Sequence, residues 1–280
     1  MPLPKRILGK TGVEVTAFGL GGEGILRTHG RFRDAEAVIR RAIDLGVTYF
    51  ESARAYAGSE EYLGRSLGPA RDRVFLATKT HARRARAARA HLDESLALLR
   101  TDRVDLWYFH DIRSEDDLLT IAGPGGALEV ALKARDKGEV RFLGVSGHED
   151  PGLLVRAMDL LPVDVVLCPV NPAEAAFRGF PDTAVVEAAR RGLGVVAMKT
   201  LCRGLVGQVP GAPVPEAFLR YALSTPGVQV ASVGCDSPEQ VEANVRAVEA
   251  AASLPGDQRE HLEQLCYPFA PRLAYYRPGG

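Results

Sequence analysis

Short hydrophobic runs alternate with amphipathic segments along most of the chain. Runs rich in Val, Leu and Phe without polar alternation are typical of parallel strands that are buried on both faces. Eight such runs, each followed by a segment with helical spacing, predict a closed (β/α)8 TIM barrel, an α/β fold. The runs cover residues 16–22, 47–52, 74–80, 105–110, 141–147, 163–169, 194–200 and 228–235.

Glycines mark the ends of several predicted helices. Gly46, Gly138 and Gly192 each follow an amphipathic segment and precede a strand, where glycine readily takes the left-handed conformation that ends a helix. Ahead of the first barrel strand, residues 5–15 read as an N-terminal β-hairpin turned around residues 10–12. We expect this hairpin to close the barrel floor, and residues 1–280 to form a single domain.

The first and last barrel helices carry recognisable start signals. Asp34 is the expected N-cap of the first helix, ahead of one apolar stripe. Near the end of the chain, Ser237 and Gln240 have the spacing of a capping box, and Pro238 takes the first helical position. The apolar stripe consists of Ala35, Val38, Ile39, Ala42 and Ile43.

Composition and charge limit the class of protein. The 280 residues have a formal net charge of +0, and 46% are hydrophobic, which describes a globular chain without an electrostatic footprint for nucleic acid. The basic run 81–91 has no interleaved aromatic residues and reads as a solvated helix face. No stretch is long and apolar enough for a membrane span, and the first residues lack the apolar segment of a signal peptide, so we expect a cytoplasmic protein without membrane partners.

The four cysteines are far apart in the sequence. No CxxC pair occurs, which argues against a disulfide framework, a zinc site or an iron–sulfur cluster. We therefore expect no metal, and read Cys168, Cys202, Cys235 and Cys266 as core thiols.

Polar side chains end three consecutive predicted strands. Glu51, Lys79 and His110 each stand at the carboxyl end of one strand, and Tyr56 follows Glu51 in the next loop. If His110 points into the barrel, alternation turns Tyr108 inward as well. Each polar residue alone is more often structural, but catalytic groups of TIM barrels lie at this rim. A carboxylate, a phenol, an ammonium and an imidazole would converge there as acid–base machinery for a carbonyl.

The string of glycines in residues 19–24 matches the pattern GxGxxG, but its surroundings do not fit a Rossmann fingerprint. That fingerprint needs a helix opening at the glycines and an acidic residue at the end of a second strand. Here Gly30 interrupts the following segment, and Asp44 falls on the predicted helix. We interpret the glycines as a tight loop whose backbone can approach a ligand.

These motifs together resemble the aldo-keto reductase superfamily over nearly the whole chain. The resembling segments are KRILGKTGVEVTAFGLGG, YFESARAYAGSEEYLG, VFLATKT, VDLWYFH, RFLGVSG and SPEQVEANV. SARAY and AMK are most similar to a divergent bacterial branch. The resemblance implies a barrel that holds a nicotinamide cofactor without a Rossmann domain. It also implies a catalytic tetrad at Glu51, Tyr56, Lys79 and His110, and hence an NAD(P)H-dependent oxidoreductase that reduces aldehydes or ketones to alcohols.

The chemistry of carbonyl reduction fits these four groups. Hydride transfer to a carbonyl carbon builds negative charge on its oxygen, so a proton must reach that oxygen. Tyr56 is the expected general acid. A free phenol has a pKa of about 10, which a nearby ammonium lowers; Lys79 would do this, with Glu51 fixing its position. His110 would orient the carbonyl oxygen as a neutral imidazole.

The resemblance also implies a cofactor site, from which this sequence departs at several positions. Aspartate is usual where Glu51 stands, Gly147 replaces an asparagine after the expected carboxamide ligand Ser146, and Met198 replaces an aromatic residue. We expect NADP(H) as the cofactor. NAD(H) is the alternative, because Gly234 and Gln240 stand at positions that commonly carry basic side chains in the family. The expected cofactor residues are Gly21, Gly22, Ser146, Met198, Lys199, Leu201, Gly234, Cys235, Gln240 and Asn244.

Other functions remain open on the sequence. A catalytically weak barrel could bind the nicotinamide cofactor as a sensor or interaction module. A metal-dependent hydrolase could use His110, His148 and Glu51, but Lys79 would repel the cation. The substrate is a small-molecule carbonyl or alcohol of unspecified identity, and the sequence indicates no oligomeric state. Residues 111–126 and the C-terminal tail either line the substrate opening with aromatic side chains or dock on the barrel; the tail aromatics are Tyr267, Phe269, Tyr275 and Tyr276.

Overall fold

A closed eight-stranded parallel barrel forms the centre of the molecule. The structure is a computed structural model that describes residues 3–177, 179–211, 215–250 and 254–277. The barrel strands are β3 (Phe18–Gly24), β4 (Tyr49–Glu51), β5 (Phe75–Thr80), β6 (Val104–Phe109), β7 (Val140–Ser146), β8 (Val165–Pro169), β9 (Gly194–Met198) and β10 (Val230–Cys235). Their order is β10-β3-β4-β5-β6-β7-β8-β9, so the last strand pairs with the first. The predicted TIM barrel is confirmed, and each of the eight predicted runs overlaps one barrel strand, with bounds that differ by at most two residues at an end.

Helices surround the barrel on its outer face. They are α1 (Phe32–Asp44), α2 (Ser59–Ser66), α3 (Ala85–Leu99), α4 (Glu115–Ala122), α5 (Ala127–Asp136), α6 (Pro151–Leu160), α7 (Val186–Arg190), α8 (Pro215–Ser224), α9 (Pro238–Glu249), α10 (Gly256–Cys266) and α11 (Ala270–Leu273). Gly46, Gly138 and Gly192 have φ angles of 79°, 76° and 68°, as the sequence predicts for residues that follow a helix. None of these helices is long and apolar enough to cross a bilayer.

One predicted helix start is wrong and another is confirmed. Helix α1 begins at Phe32, and Asp34 lies in its first turn, where it pairs with Arg31 Nε at 2.6 Å instead of capping the helix. At α9, Ser237 Oγ accepts a hydrogen bond from Gln240 N, as expected of the N-cap. The Gln240 side chain accepts from the backbone N–H of Asp236 at 2.8 Å and not from that of Ser237.

The barrel has one apolar core inside the strands and another between the strands and the helices. Tyr49 and Tyr108 are fully buried inside, and their hydroxyl oxygens are 3.0 Å apart. Trp107, the neighbour of Tyr108, packs outside against the helices. This alternation confirms which face of β6 points inward, and therefore sets the direction of His110 just beyond the strand.

An N-terminal hairpin of β1 (Lys5–Ile7) and β2 (Glu14–Thr16) lies at the amino-terminal end of the barrel. Leu8 is fully buried in the inner core, and the backbone N–H of Lys10 donates to the carbonyl of Gly192 at 2.6 Å. The hairpin therefore covers the barrel floor, as predicted. Catalytic groups are expected at the opposite rim.

The cysteines behave as core thiols. All four are free and buried. No cluster of three or more His, Cys, Asp or Glu side chains suited to a metal ion occurs within the described residues.

Candidate active site

A buried ion pair lies at the carboxyl ends of two neighbouring strands. Glu51 is the last residue of β4, and its Oε1 accepts a hydrogen bond of 2.5 Å from Lys79 Nζ on β5. Lys79 also donates to the carbonyl oxygen of Ser52 at 2.8 Å. Because both charged side chains are almost fully buried, the lysine is held in a single direction, toward the barrel mouth.

A short loop after β4 carries Tyr56 over this ion pair. Ser52 Oγ donates to Ser59 Oγ at 2.8 Å across the base of the loop, and the backbone N–H of Tyr56 donates to Ala53 O at 2.9 Å. These bonds place the phenol ring so that Lys79 Nζ lies 4.7 Å from its centroid. The ammonium and the phenol, which the sequence predicts to act together, are thus neighbours.

His110 approaches the same phenol from the next strand. Its ring centroid is 5.8 Å from that of Tyr56, in an edge-on arrangement. Arg83, in the loop after β5, fixes this segment by donating to the carbonyl oxygens of His110 at 2.8 Å and Asp111 at 2.7 Å. The same guanidinium pairs with Asp117 on α4. Sequence reasoning missed Arg83, whose position in a basic run gave no sign of this contact.

A second buried carboxylate, that of Glu60, connects α2 to the strand that carries Lys79. Glu60 on α2 accepts from Thr78 Oγ1 at 2.6 Å and from Arg54 at 2.9 Å. Since Thr78 precedes Lys79 on β5, this bond ties the Tyr56 loop and its following helix to the strand that carries the lysine.

Burial and neighbouring charges shift the pKa values of three of these groups. Burial disfavours the charge on Lys79, but Glu51 and Tyr56 outweigh it and raise the pKa of the ammonium. Burial dominates at Tyr56, so the pKa of the phenol is raised overall even though Lys79 lowers it. The expectation that Lys79 favours the phenolate is correct in sign, but desolvation is larger. Burial, followed by Lys79, holds the pKa of His110 well below its usual range, which keeps the imidazole neutral.

A cleft of about 910 Å³ runs from Tyr56 to the amino-terminal end of α9. Lys79 is fully buried and is not among the residues that line the cleft. The predicted residues that line it are Gly21, Gly22, Glu51, Tyr56, Met198, Lys199, Leu201, Gly234, Gln240 and Asn244. A Cβ atom at Gly22 would lie 2.6 Å from Ser59 Oγ and 2.8 Å from Glu51 O, so only glycine fits beside the Tyr56 loop.

Two expected cofactor residues are absent from the lining of this cleft. Ser146 Oγ is buried and accepts from the backbone N–H of Asp111 at 3.0 Å, which ties the loop after β6 to β7. Cys235 Sγ is also buried, and Asn244 Nδ2 lies 3.4 Å from it. The contacts of Ser146 and Cys235 with a cofactor stay predictions. In the structure, both side chains contact other residues of the protein.

Several charged residues in the cleft were missed by sequence reasoning. Glu23, at the end of β3, accepts from Arg27 Nη1 at 2.9 Å, and its other oxygen lies 3.7 Å from Arg203 Nε. Arg27 Cζ lies 4.9 Å from the centroid of the Tyr56 ring. Glu23 belongs to strand β3 and Arg27 to the short 3-10 helix after it, so no helical spacing in the sequence pairs them. The sequence likewise gives no sign that Arg27 approaches Tyr56.

At the adenosine end expected from the resemblance, the cleft lining has no basic side chain among the described residues from 232 to 244. Asp236 lines it there, and Gln240 is engaged with the Asp236 backbone. The cations among the described lining residues are Arg27, in the turn after β3, and Lys199 and Arg203, in the loop after β9. Burial lowers the pKa of Lys199.

The C-terminal tail docks on the barrel beside this loop. Tyr276 donates to Glu174 Oε1 at 2.7 Å, and Arg277 binds Glu174 Oε2 at 2.6 Å. Asn171 Nδ2 bridges Tyr276 Oη and Lys199 O, and the Tyr276 ring lies edge-on to His148 with centroids 6.0 Å apart. The tail therefore docks on the barrel, and none of its described aromatic side chains is among the residues that line the cleft.

Comparison with known proteins bears on the fold and the family of this chain. The Aldo/keto reductase family profile matches residues 17–209. The chain is 29% identical to L-galactose dehydrogenase of Arabidopsis thaliana, over 90% of each chain. Among solved structures, the holo form of an aldo-keto reductase from Bacillus halodurans superposes with a TM-score of 0.79 at 23% identity, covering 94% of this chain and 96% of that one. An aldo/keto reductase from Klebsiella pneumoniae in complex with NADP and acetate gives 0.77 at 25% identity, covering 95% and 96%.

The chain belongs to the aldo/keto reductase family. It is accordingly an NAD(P)-dependent oxidoreductase that reduces carbonyl compounds.

Proposed function

We propose that this protein reduces aldehydes or ketones with NADPH, and that Tyr56 is the general acid. The observation that carries the assignment of residues is the convergence of Tyr56 with Lys79 and His110 at the mouth of the barrel, 4.7 Å and 5.8 Å from its ring centroid. Glu51 completes the tetrad through its bond to Lys79. A phenol beside a buried ammonium and a neutral imidazole can hold and release a proton next to a carbonyl oxygen.

The cleft fits an extended nicotinamide cofactor in this proposal. Met198, which lines the cleft, offers a polarizable side chain that can pack on a ring. Lys199 and Arg203 supply cations for a diphosphate, and the amino-terminal end of α9 offers amide donors. NADP in the Klebsiella pneumoniae relative favours NADP(H), while the absence of basic groups in the described lining near α9 keeps NAD(H) as the alternative.

Each residue of the tetrad has a separate task. When bound, the reduced nicotinamide supplies the hydride. Tyr56 Oη donates the proton to the carbonyl oxygen, and His110, kept neutral by burial, orients that oxygen through a hydrogen bond. Lys79 lowers the pKa of the phenol, which favours release of its proton during reduction and stabilises the phenolate that accepts a proton in the reverse reaction. Glu51 keeps Lys79 charged and in place.

Titration of the purified protein with NADPH and NADH, followed by turnover of a panel of aldehydes and ketones, tests this function. We expect saturable binding of NADPH, cofactor oxidation that depends on the carbonyl compound, and an alcohol as the product. Binding of either cofactor without turnover of any carbonyl would instead support the sensor or interaction module. Absence of cofactor binding would contradict both.

Two further proposals concern organisation and location. Residues 1–280 form one domain, a proposal supported by the pairing of β10 with β3, which joins the two ends of the barrel. The protein is cytoplasmic, which is supported by its four free cysteines, since unpaired thiols are usual where the environment is reducing.

A further inference from the structure

Tyr56 has a second charged pair beside its ring, in addition to the pair of Lys79 and Glu51. Arg27 Cζ lies 4.9 Å from the centroid of the phenol ring, close to the 4.7 Å of Lys79 Nζ. Arg27 is held by Glu23 at 2.9 Å, as Lys79 is held by Glu51 at 2.5 Å. Each of the two cations beside the ring therefore has its own carboxylate.

The turn that carries Arg27 is well anchored. Gly24 has a φ of +68°, and a Cβ there would lie 2.8 Å from Cys235 O, so the chain leaves β3 by a route open to glycine. Leu26 is fully buried, and the carbonyl oxygen of Thr28 accepts from Tyr62 Oη at 3.0 Å. These contacts fix the turn on both sides of Arg27, so its approach to Tyr56 follows from the backbone as well as from the ion pair.

We propose that Arg27, oriented by Glu23, is a positioning residue that acts on Tyr56 as a second cation alongside Lys79 and helps to set how tightly the phenol holds its proton. This inference rests on the proposed function of Tyr56 as the general acid. It assigns no contact between Arg27 and the substrate.

The charges around the phenol give the direction of the effect. Burial has the largest effect on the pKa of Tyr56 and raises it. Among the neighbouring charges, Lys79 and Arg27 lower this pKa, and Glu51 and Glu23 raise it. Removing Arg27 would take away the nearer cation of Glu23 and leave it with Arg203 alone, whose Nε is 3.7 Å from its Oε2. The ionisable groups that face the phenol are Glu23 and Arg27 from β3 and its following turn, Glu51 from β4, Lys79 from β5, His110 after β6, and Arg203 after β9.

The two pairs differ in strength because they differ in exposure. The side chains of Lys79 and Glu51 are 1% and 6% exposed, whereas those of Arg27 and Glu23 are 42% and 29% exposed. Solvent and salt screen the outer pair. Arg27 should therefore affect the proton affinity of Tyr56 less than Lys79 does, and we expect its loss to shift the pH profile by roughly half a pH unit.

The pH profile of carbonyl reduction tests the proposal. Reduction needs protonated Tyr56, so its rate falls as pH rises through the apparent pKa of the phenol. Arg27→Gln should move this limb to higher pH, and Glu23→Gln should move it to lower pH. The double variant should return close to wild type, and Arg27→Lys should keep most of the wild-type profile.

Arg65 provides a matched control. It forms an ion pair with Glu61 at 3.2 Å with the same four-residue spacing, and it lies over the ring of Phe32 at 3.5 Å, outside the cleft lining. Arg65→Gln removes the same kind of group and should leave the profile unchanged. Shifts of the same sign in Arg27→Gln and Glu23→Gln, or no shift in either, would overturn the proposal. A rise in KM with an unmoved limb would overturn it as well, because it would make Arg27 a substrate-binding group.

A measurement without turnover separates this proposal from the function on which it rests. Ultraviolet difference absorbance of tyrosinate, taken against Tyr56→Phe, follows ionisation of this phenol directly. If the wild type reduces no carbonyl compound, the proposed function fails, and opposite shifts of the tyrosinate titration in the two variants would still support the electrostatic role. If the wild type instead reduces carbonyl compounds while Arg27→Gln and Glu23→Gln shift neither the alkaline limb nor the tyrosinate titration, the proposed function stands. In that case only the role of Arg27 is wrong.

Discussion

Lys79 Nζ lies 2.5 Å from Glu51 Oε1 inside the protein, so the longer carboxylate makes the contact that the family resemblance assigns to an aspartate. Glu51 Oε2 is buried without a hydrogen-bond partner among the described residues. The extra methylene has therefore not separated the ion pair, and the pair still stands beside the ring of Tyr56.

Tyr56→Phe removes the transferable proton and little else. We expect carbonyl reduction to fall roughly 100- to 10,000-fold, the usual contribution of a general acid, with the cofactor Kd nearly unchanged. Steady-state kcat and a fluorescence titration with NADPH measure the two effects. Retained turnover would rule out Tyr56 as the acid.

Lys79→Met removes the cation beneath the phenol. Because Lys79 lowers the pKa of Tyr56, its loss should move the alkaline limb of reduction to higher pH and lower kcat. It also leaves Glu51 buried without a partner, which typically costs about 3–5 kcal/mol of unfolding free energy. The double variant Lys79→Met with Glu51→Gln removes the stranded charge and should recover stability but not activity; thermal denaturation and a pH–rate profile check both.

Glu51 should tolerate shortening better than loss of charge. Glu51→Asp keeps the carboxylate, and we expect it to retain substantial activity. Glu51→Gln removes a negative charge from the coupled tyrosine–lysine group, so the group should lose its proton at lower pH and the alkaline limb should move down. The sign is opposite to that of Lys79→Met. If Glu51→Gln matches the wild type in rate and pH profile, the carboxylate has no part in the reaction.

Gln240→Arg should increase the preference for NADPH. A new guanidinium at the start of α9 can bind a 2′-phosphate, and a charge-assisted hydrogen bond of this kind lowers Kd by about tenfold or more. NADH should bind nearly as before. Gln240→Leu is the control, since it loses the bond to the Asp236 backbone without adding charge. An unchanged ratio of Kd values in Gln240→Arg would place the 2′-phosphate elsewhere.

Arg277→Met should destabilise the docked tail. Glu174 is fully buried, and Arg277 is its cationic partner at 2.6 Å. Loss of that partner leaves the carboxylate with Tyr276, and we expect a decrease of about 3–5 kcal/mol in unfolding free energy. Denaturant unfolding measures this loss. Arg272→Met, which removes an exposed arginine from the same tail, should change little; equal losses in both variants would contradict the role of the Glu174 pair.

The sequence predicted the residues of the rim better than the contacts between them. Glu51, Lys79 and His110 could be placed at one level because each lies within one residue of the carboxyl end of a strand. The prediction of the N-cap was less accurate. Asp34 is a residue type that caps helices, but α1 begins at Phe32, so Asp34 lies inside its first turn. Boundaries depend on a few hydrogen bonds at each end, which periodicity does not specify.

The sequence by itself determined the barrel, its hairpin and the rim where the chemistry lies, because strand periodicity, glycine helix ends and motif order are local properties. Only the tertiary structure decided which distant groups meet. Tyr276 reaches Glu174 from 102 residues away, and Arg27 reaches Tyr56 from a different loop. It also decided that burial outweighs Lys79 in setting the pKa of Tyr56, since desolvation depends on everything packed around the phenol and no local pattern records that environment.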